Sequence, residues 1–327
     1  MDNLPSSNPN AQEFATALPS ALPVPPSRNP VLFNDRGLRA GWRLLIYILL
    51  FVFLDGILTF VGIALTGLRP GVLEPPNMTL QDALGFIAAY ASAAVMALGE
   101  KRDLGVYGLP GREAFRGKFW LGVLFGVFEI SLLIGLIAIF GGYSFGSLAI
   151  HGTEIPRWAL VHAFLFLCVG FAEEYLFRGY TQFTLADGIG FWPAAVVLSL
   201  LFGGVHLGNK GENWVGAASA AVVGLFFAFT IYRTGSLWYA VGLHASFDWG
   251  ESFLYSVPDS GLVLRGHLSN SIVQDGPKWL TGGAVGPEGS IFCFLTMGLQ
   301  FLVVMWLFPK RNTTSESAAQ SALPHAT

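Results

Sequence analysis

Charge is what this 327-residue chain has least of. Asp, Glu, Lys and Arg together make up 12% of it, against about 25% in an ordinary soluble domain. A chain so poor in charge cannot solvate the surface of a soluble fold. Its net charge of −3 also supplies no field that would draw nucleic acid or another polyanion. Cysteine is nearly absent. Cys168 and Cys293 are the only two; both fall in apolar runs without metal-ligand spacing, which excludes a disulfide scaffold and reads as small buried hydrophobes. No serine occupies a GxSxG setting, and neither cysteine neighbours a polar motif, so the usual covalent nucleophiles are missing. The linear zinc signature HExxH is missing too. Residues 1–38 contain no apolar run; they are rich in Pro, Ser and Asn and read as a disordered cytoplasmic arm, without the apolar core of a cleaved signal peptide.

What fills the chain instead is hydrophobic: 53% of its residues and a mean hydropathy of +0.56. The expected fold class is all-α, a polytopic transmembrane bundle with a central polar cavity. By the criterion of roughly 20 apolar residues per crossing, about eight spans are expected. They lie near 41–66, 80–98, 117–141, 158–185, 191–208, 214–232, 236–256 and 288–309. Residues 39–309 thus form the bundle, with a motif core at 158–256, and 310–327 a polar tail. Basic residues cluster at Arg36, Arg39 and Arg43, at Lys101, Arg102, Arg112, Arg116 and Lys118, and at Lys310 and Arg311. Loops of the other parity hold only Arg69, Arg157, Lys210, Arg265 and Lys278. The positive-inside rule therefore puts both termini in the cytoplasm of a multi-pass protein of the cell membrane.

Against this apolar background three polar elements stand out. Glu173, Glu174 and Arg178 end a greasy helix, where each charge costs roughly 2.5–3.5 kcal/mol at bilayer depth and rarely persists without a role. Residues four apart share a helix face, so Glu174 and Arg178 can pair while Glu173 is turned away and left available. A salt-bridged helix end explains the pair but not Glu173. Phe202-x-x-x-His206 follows. Glu173 and His206 are almost equidistant in sequence from the turn at 186–190, and Pro193 suits the first turn of the next helix. An antiparallel hairpin then holds both side chains at one depth. The plainer reading of His206 is a hydrogen bond between helices. The third element sets His244 and Asp248 on one face, as an internal hydrogen bond or as a second wall of the same cavity. Asp55, Glu129 and His162 are read as packing polar groups, and His151, His267 and His325 as solvated.

EExxxRG, then FxxxH, then HxxxD, in order across consecutive apolar helices, resembles the CPBP family of intramembrane glutamic endopeptidases, the CAAX prenyl protease, bacteriocin-processing and Abi type. The resemblance covers about residues 158–256. It implies a membrane-embedded peptidase in which Glu173 acts as general base and His206 positions the nucleophilic water, with Glu174, Arg178 and Phe202 in support. His244 aligns with an oxyanion-binding histidine. Asp248 stands where the family usually has asparagine, and an ionised aspartate cannot donate to an oxyanion. Either burial keeps Asp248 protonated, or it orients and charges His244. The implied partners are the lipid bilayer and a peptide or protein substrate, prenylated or otherwise membrane-associated, with no nucleic acid. No cofactor is implied.

Two alternatives stay open at this point. Glu173, His206 and His244 could ligate zinc as a two-histidine, one-carboxylate catalytic set. The same fold could instead serve as a non-proteolytic membrane scaffold or regulator, a reading that the intact motifs oppose and the aspartate at 248 leaves open. A proton-coupled transporter would also use buried Glu and His, but no paired broken helices occur in two halves of the chain. The Gly- and Ser-rich loop from Ser256 to Pro287 exceeds a simple connector, and either gates the cavity or lies passive.

Overall fold

The computed structural model describes residues 29–309, apart from 35–36, 70, 210 and 275. The expected arm falls mostly outside these residues, as do the tail, Arg36, Lys210, Lys310, Arg311 and His325. The last part of the expected arm is ordered: β1 (Phe33–Asn34) pairs antiparallel with β2 (Gly37–Leu38). Beyond it the chain is helical: α1 (Ala40–Thr66), α2 (Pro75–Glu100), α3 (Gly117–Ile139), α4 (Glu154–Arg178), α5 (Tyr180–Ile189), α6 (Phe191–His206), α7 (Trp214–Thr234), α8 (Trp238–Trp249), α9 (Lys278–Thr281) and α10 (Ile291–Leu307).

Local chemistry sets the helix ends. Pro75 and Pro76 open α2, where their missing N–H groups cost nothing. Asn213 caps α7 by accepting from the backbone N–H groups of Val215 (2.8 Å) and Gly216 (3.3 Å). Gly67 and Gly235 end α1 and α7 with φ of 72° and 73°, a conformation that other residues adopt only with strain.

About eight crossings were expected, and among the described residues five stretches are by length and composition long and apolar enough to cross a bilayer: α1, α2, α3, the α4–α5 run Glu154–Ile189, and α7. Helices α6 and α10 are apolar but have 16 and 17 residues, short of the roughly 20 that a 30 Å core requires. The expected 236–256 span resolves into the 12-residue α8 and a π-helical turn, Gly250–Leu254. Most of α8 is buried inside the protein; an apolar run covered by other helices reads in sequence like one that faces lipid. The expected 158–185 span starts earlier, at Glu154, and is broken at Gly179.

Close helix contact depends on glycine. A Cβ on Gly122 would meet the Tyr239 carbonyl oxygen at 2.2 Å, one on Gly126 the Ser246 hydroxyl at 2.1 Å, and one on Gly242 the Phe119 carbonyl at 2.2 Å. Helices α3 and α8 thus touch backbone to backbone, a small-residue crossing of the kind that joins membrane helices. It fixes α8, which carries His244 and Asp248. Gly126→Ala is expected to destabilise the protein by about 1–3 kcal/mol through overpacking, with an unfolding transition in detergent that shifts down accordingly. An unchanged transition would mean that the crossing is looser than described.

One end of the bundle is tied by charge. The Arg43 guanidinium donates to Glu100 (2.6 and 2.8 Å) and to Asp187 (2.9 Å), and Arg102 reaches Asp187 at 3.0 Å. The Tyr107 hydroxyl donates to Glu100 at 2.6 Å, and the Tyr180 hydroxyl does so as well. Close by in sequence, Lys118 pairs with Glu113 at 2.8 Å. Burial alone would raise the Glu113 carboxyl, but the hydrogen bonds from Lys118 and Ser236 together with the charges of Lys118 and Arg112 outweigh it and hold the group below its usual range. The opposite end carries the long loops. β3 (Tyr143–Ser144) pairs with β4 (Ile272–Val273), and His162 bonds the Arg265 carbonyl at 3.1 Å. The Ser256–Pro287 segment is therefore folded onto the bundle.

Candidate active site

The glutamate pair sits in the last turns of α4. Glu174 and Arg178 are 0% and 1% exposed and pair at 3.1 Å, Arg178 Nη1 donating to Glu174 Oε1. The guanidinium lies 4.0 Å above the Phe202 ring of α6, a cation–π stack that needs the planar arginine fork. Gly224 of α7 makes room for it: a Cβ there would meet Arg178 Nη2 at 2.4 Å. Phe177 and Phe202 also touch edge to face, with ring centres 5.1 Å apart. Helix α6 thereby comes against the end of α4, and Phe202 acts as the platform between them.

Glu173 is turned away from this layer. Its side chain is 35% exposed, faces a cavity of about 200 Å³, and makes its single close polar approach, among the described residues, to His244 Nε2 at 3.8 Å. His206, the final residue of α6, lines the same cavity. Its Nδ1 is 2.7 Å from the Phe202 carbonyl. A carbonyl only accepts, so Nδ1 carries a proton, and in the neutral ring Nε2 then offers its lone pair.

His244 is the hub. Its Nδ1 lies 2.9 Å from Glu174 Oε1, and its Nε2 lies 3.3 Å from Asp248 Oδ2. The ring stacks on Phe227 with centres 5.4 Å apart. Glu174 was expected to pair with Arg178 alone; it also accepts from His244 and so joins the two polar walls. Ionised carboxylates only accept hydrogen bonds, so Glu174, Asp248 and Glu173 around one imidazole are best satisfied when it donates from both nitrogens.

The cavity brings together Glu173, Phe202, His206, His244 and Asp248. The zinc set is not assembled in the same sense. Among the described residues, the group of His, Cys, Asp or Glu whose ligand atoms lie within 4.8 Å of one another is Glu251, Asp259 and Glu288; Glu173, His206 and His244 form no such group.

Six further polar residues line the cavity without having been singled out as site residues: Asp82, Glu129, Asn209, Asp259, Ser260 and Glu288. Glu129 was read as packing. It is 1% exposed, and neither carboxylate oxygen has a hydrogen-bond partner among the described residues. The signal was available, since a lone acid in an apolar span is a functional candidate by default. Asp259 and Glu288 come from the long loop, whose residues follow no helical period. Asp55 and His162 do not line the cavity, His151 is exposed, and His267 bonds the Leu264 carbonyl. Cys168 and Cys293 are free and buried, and Cys293 contributes to the cavity wall.

Residues 155–250 match the family model described as type II CAAX prenyl endopeptidase Rce1-like, in agreement with the resemblance of the motifs. The matched stretch is less than half of the chain but runs from α4 to the end of α8, and so contains both glutamates, Arg178, both motif histidines and Asp248. At the level of the family, the likeness is to membrane proteases of the CAAX type. No curated protein and no solved structure matches the chain.

Proposed function

We propose, from the likeness of residues 155–250 to CAAX-type membrane proteases, that this chain is an intramembrane endopeptidase in which Glu173 activates a water. The observation that carries this is the unpaired Glu173 carboxylate, facing a cavity shared with His206 and His244. A water between Glu173 and His206 would donate one hydrogen bond to the carboxylate and the other to His206 Nε2, leaving a lone pair for the scissile carbonyl. Glu173 takes the proton as the new C–O bond forms, and His244 Nε2–H, which rests on Asp248 at 3.3 Å before substrate enters, turns to the developing oxyanion. Glu173 then returns the proton to the leaving nitrogen as the C–N bond breaks. The products are a carboxylate and an amine. No metal is routed through this step.

Asp248 fits this scheme as an acceptor that turns His244 into a double donor. Asparagine can accept through its amide oxygen and also donate. Asp248→Asn is therefore expected to keep kcat/KM within about tenfold of wild type, while Asp248→Ala loses about 10²-fold or more, the scale of one oxyanion-hole group. Equal losses in both variants would show that the aspartate charge itself is required.

Approach to the site favours one face. The cavity is lined from the loop-bearing end, by Met78, Asn209, Ser260 and Leu262, where α2 begins. The Arg43–Glu100–Asp187–Arg102 cluster marks the other end. Positive-inside reasoning assigns that basic end to the cytoplasm, so the substrate reaches the cavity from the opposite side as a membrane-tethered peptide. The test is a panel of prenylated and unprenylated lipid-anchored peptides, offered to purified protein in detergent and in oriented vesicles. Cleavage of at least one, faster from the loop-bearing face, is expected. A folded protein that cleaves none of them would move the reading to a scaffold.

A further inference from the structure

The π-helical turn that ends α8 carries a second acidic site, separate from Glu173. Glu251 lies in this turn, is 0% exposed, and neither of its carboxylate oxygens has a hydrogen-bond partner among the described residues. π-Turns inside helices recur at functional sites, because they redirect one side chain. Here that side chain meets two acids from the long loop. One oxygen each of Glu251, Asp259 and Glu288 lies within 4.8 Å of the others. The two loop acids are held in place: Ser252 Oγ donates to Asp259 Oδ2 at 3.1 Å, and the Ser260 N–H and hydroxyl donate to Glu288 Oε2 at 2.8 and 2.9 Å. No ion pair involves any of the three among the described residues. Gly286 keeps the backbone close, since a Cβ there would meet the Pro258 carbonyl oxygen at 2.1 Å and Glu251 Oε1 at 3.3 Å.

Three convergent carboxylates, one fully buried with both oxygens unsatisfied, are costly to hold ionised and are relieved by a cation or by taking up protons. We propose that Glu251, Asp259 and Glu288 bind one calcium ion. Oxygens within 4.8 Å of one another match calcium, whose ligands stand 2.3–2.6 Å from the ion and number six to eight. The all-oxygen donor set excludes a preference for zinc or copper. Asp259 and Glu288 are half-buried and line the peptidase cavity, so the ion would pin the loop to the end of α8 beside His244 and Asp248. The loop-bearing face is also the one assigned above to the outside, where calcium sites of millimolar affinity are filled.

The inference stands apart from the peptidase reading, and its test uses Glu173→Gln as the control. Purified full-length protein, stripped with a calcium chelator, is dialysed against calcium-45 and heated with and without calcium chloride. Wild type and Glu173→Gln should each bind one equivalent and unfold at a higher temperature with calcium. Glu288→Gln, whose side chain is half-buried and tolerant of the change, should bind roughly tenfold or more weakly, because ligand charge tunes such sites over decades. Glu251→Gln should lose the calcium response and unfold no earlier than stripped wild type. Folded wild type that binds no calcium, or binding unchanged in both Glu251→Gln and Glu288→Gln, overturns the proposal. Binding lost in Glu173→Gln but kept in the other two would move the ion to the peptidase site and overturn it equally.

Discussion

Glu173→Gln lowers kcat/KM for peptide cleavage by about 10²–10⁴-fold, the range of a general base, and leaves the unfolding transition where it was. Its structural half follows from the environment of the side chain. Glu173 is 35% exposed to the cavity and approaches only His244, at 3.8 Å, among the described residues. An amide in its place strands no partner and opens no void. It still occupies the cavity but cannot take a proton from water. Loss of activity without loss of stability is therefore specific to this acid. Glu174→Gln should behave differently, because Glu174 holds both Arg178 and His244, and activity and stability should fall together. Steady-state cleavage and thermal unfolding, measured on the same detergent preparations, separate the two glutamates.

Arg178→Met destabilises the protein by about 3–5 kcal/mol, the cost of breaking a buried pair and leaving its partner charged. Glu174 is 0% exposed, and its second oxygen, Oε2, has no hydrogen-bond partner among the described residues. Without the guanidinium its charge would rest on His244 alone. The stack of Arg178 over Phe202 would go as well, loosening α6 and with it His206. Arg178→Lys should not rescue the loss, since an ammonium lacks the planar fork that fills the space between Glu174 and Phe202. Arg178→Met combined with Glu174→Gln should recover part of the stability, because the uncompensated charge is gone. Denaturant titration of the four proteins gives the coupling energy; an additive cycle would mean that the pair is not the linchpin described.

The depth argument from the 186–190 turn paired Glu173 with His206, and in the structure both line one cavity. Gly190, at φ of 90°, turns the chain at the expected place, and the run before it is broken at Gly179. The i, i+4 rule likewise anticipated the approach of Glu174 to Arg178 and of His244 to Asp248. What spacing could not supply was the bond from Glu174 to His244, 70 residues apart. That contact depends on how closely α8 sits, which Gly122, Gly126 and Gly242 control. The lengths of the apolar helices were hidden for a related cause: hydropathy measures how apolar a run is, not whether lipid or protein covers it, so it did not show that α8 is buried and that α6 and α10 are short. Glu251, Asp259 and Glu288 were invisible for a third reason: a π-turn and a long loop carry no period from which a shared position can be read.

The most direct measurement is cleavage of a substrate peptide by wild type after treatment with the zinc-selective chelator 1,10-phenanthroline, with calcium held constant so that the Glu251 cluster is undisturbed. A water activated by Glu173 predicts an unchanged rate in wild type and a rate about 10²–10⁴-fold lower in Glu173→Gln under either condition. A wild-type rate that is abolished by the chelator and restored by added zinc would contradict it, and would assign Glu173, His206 and His244 to a metal.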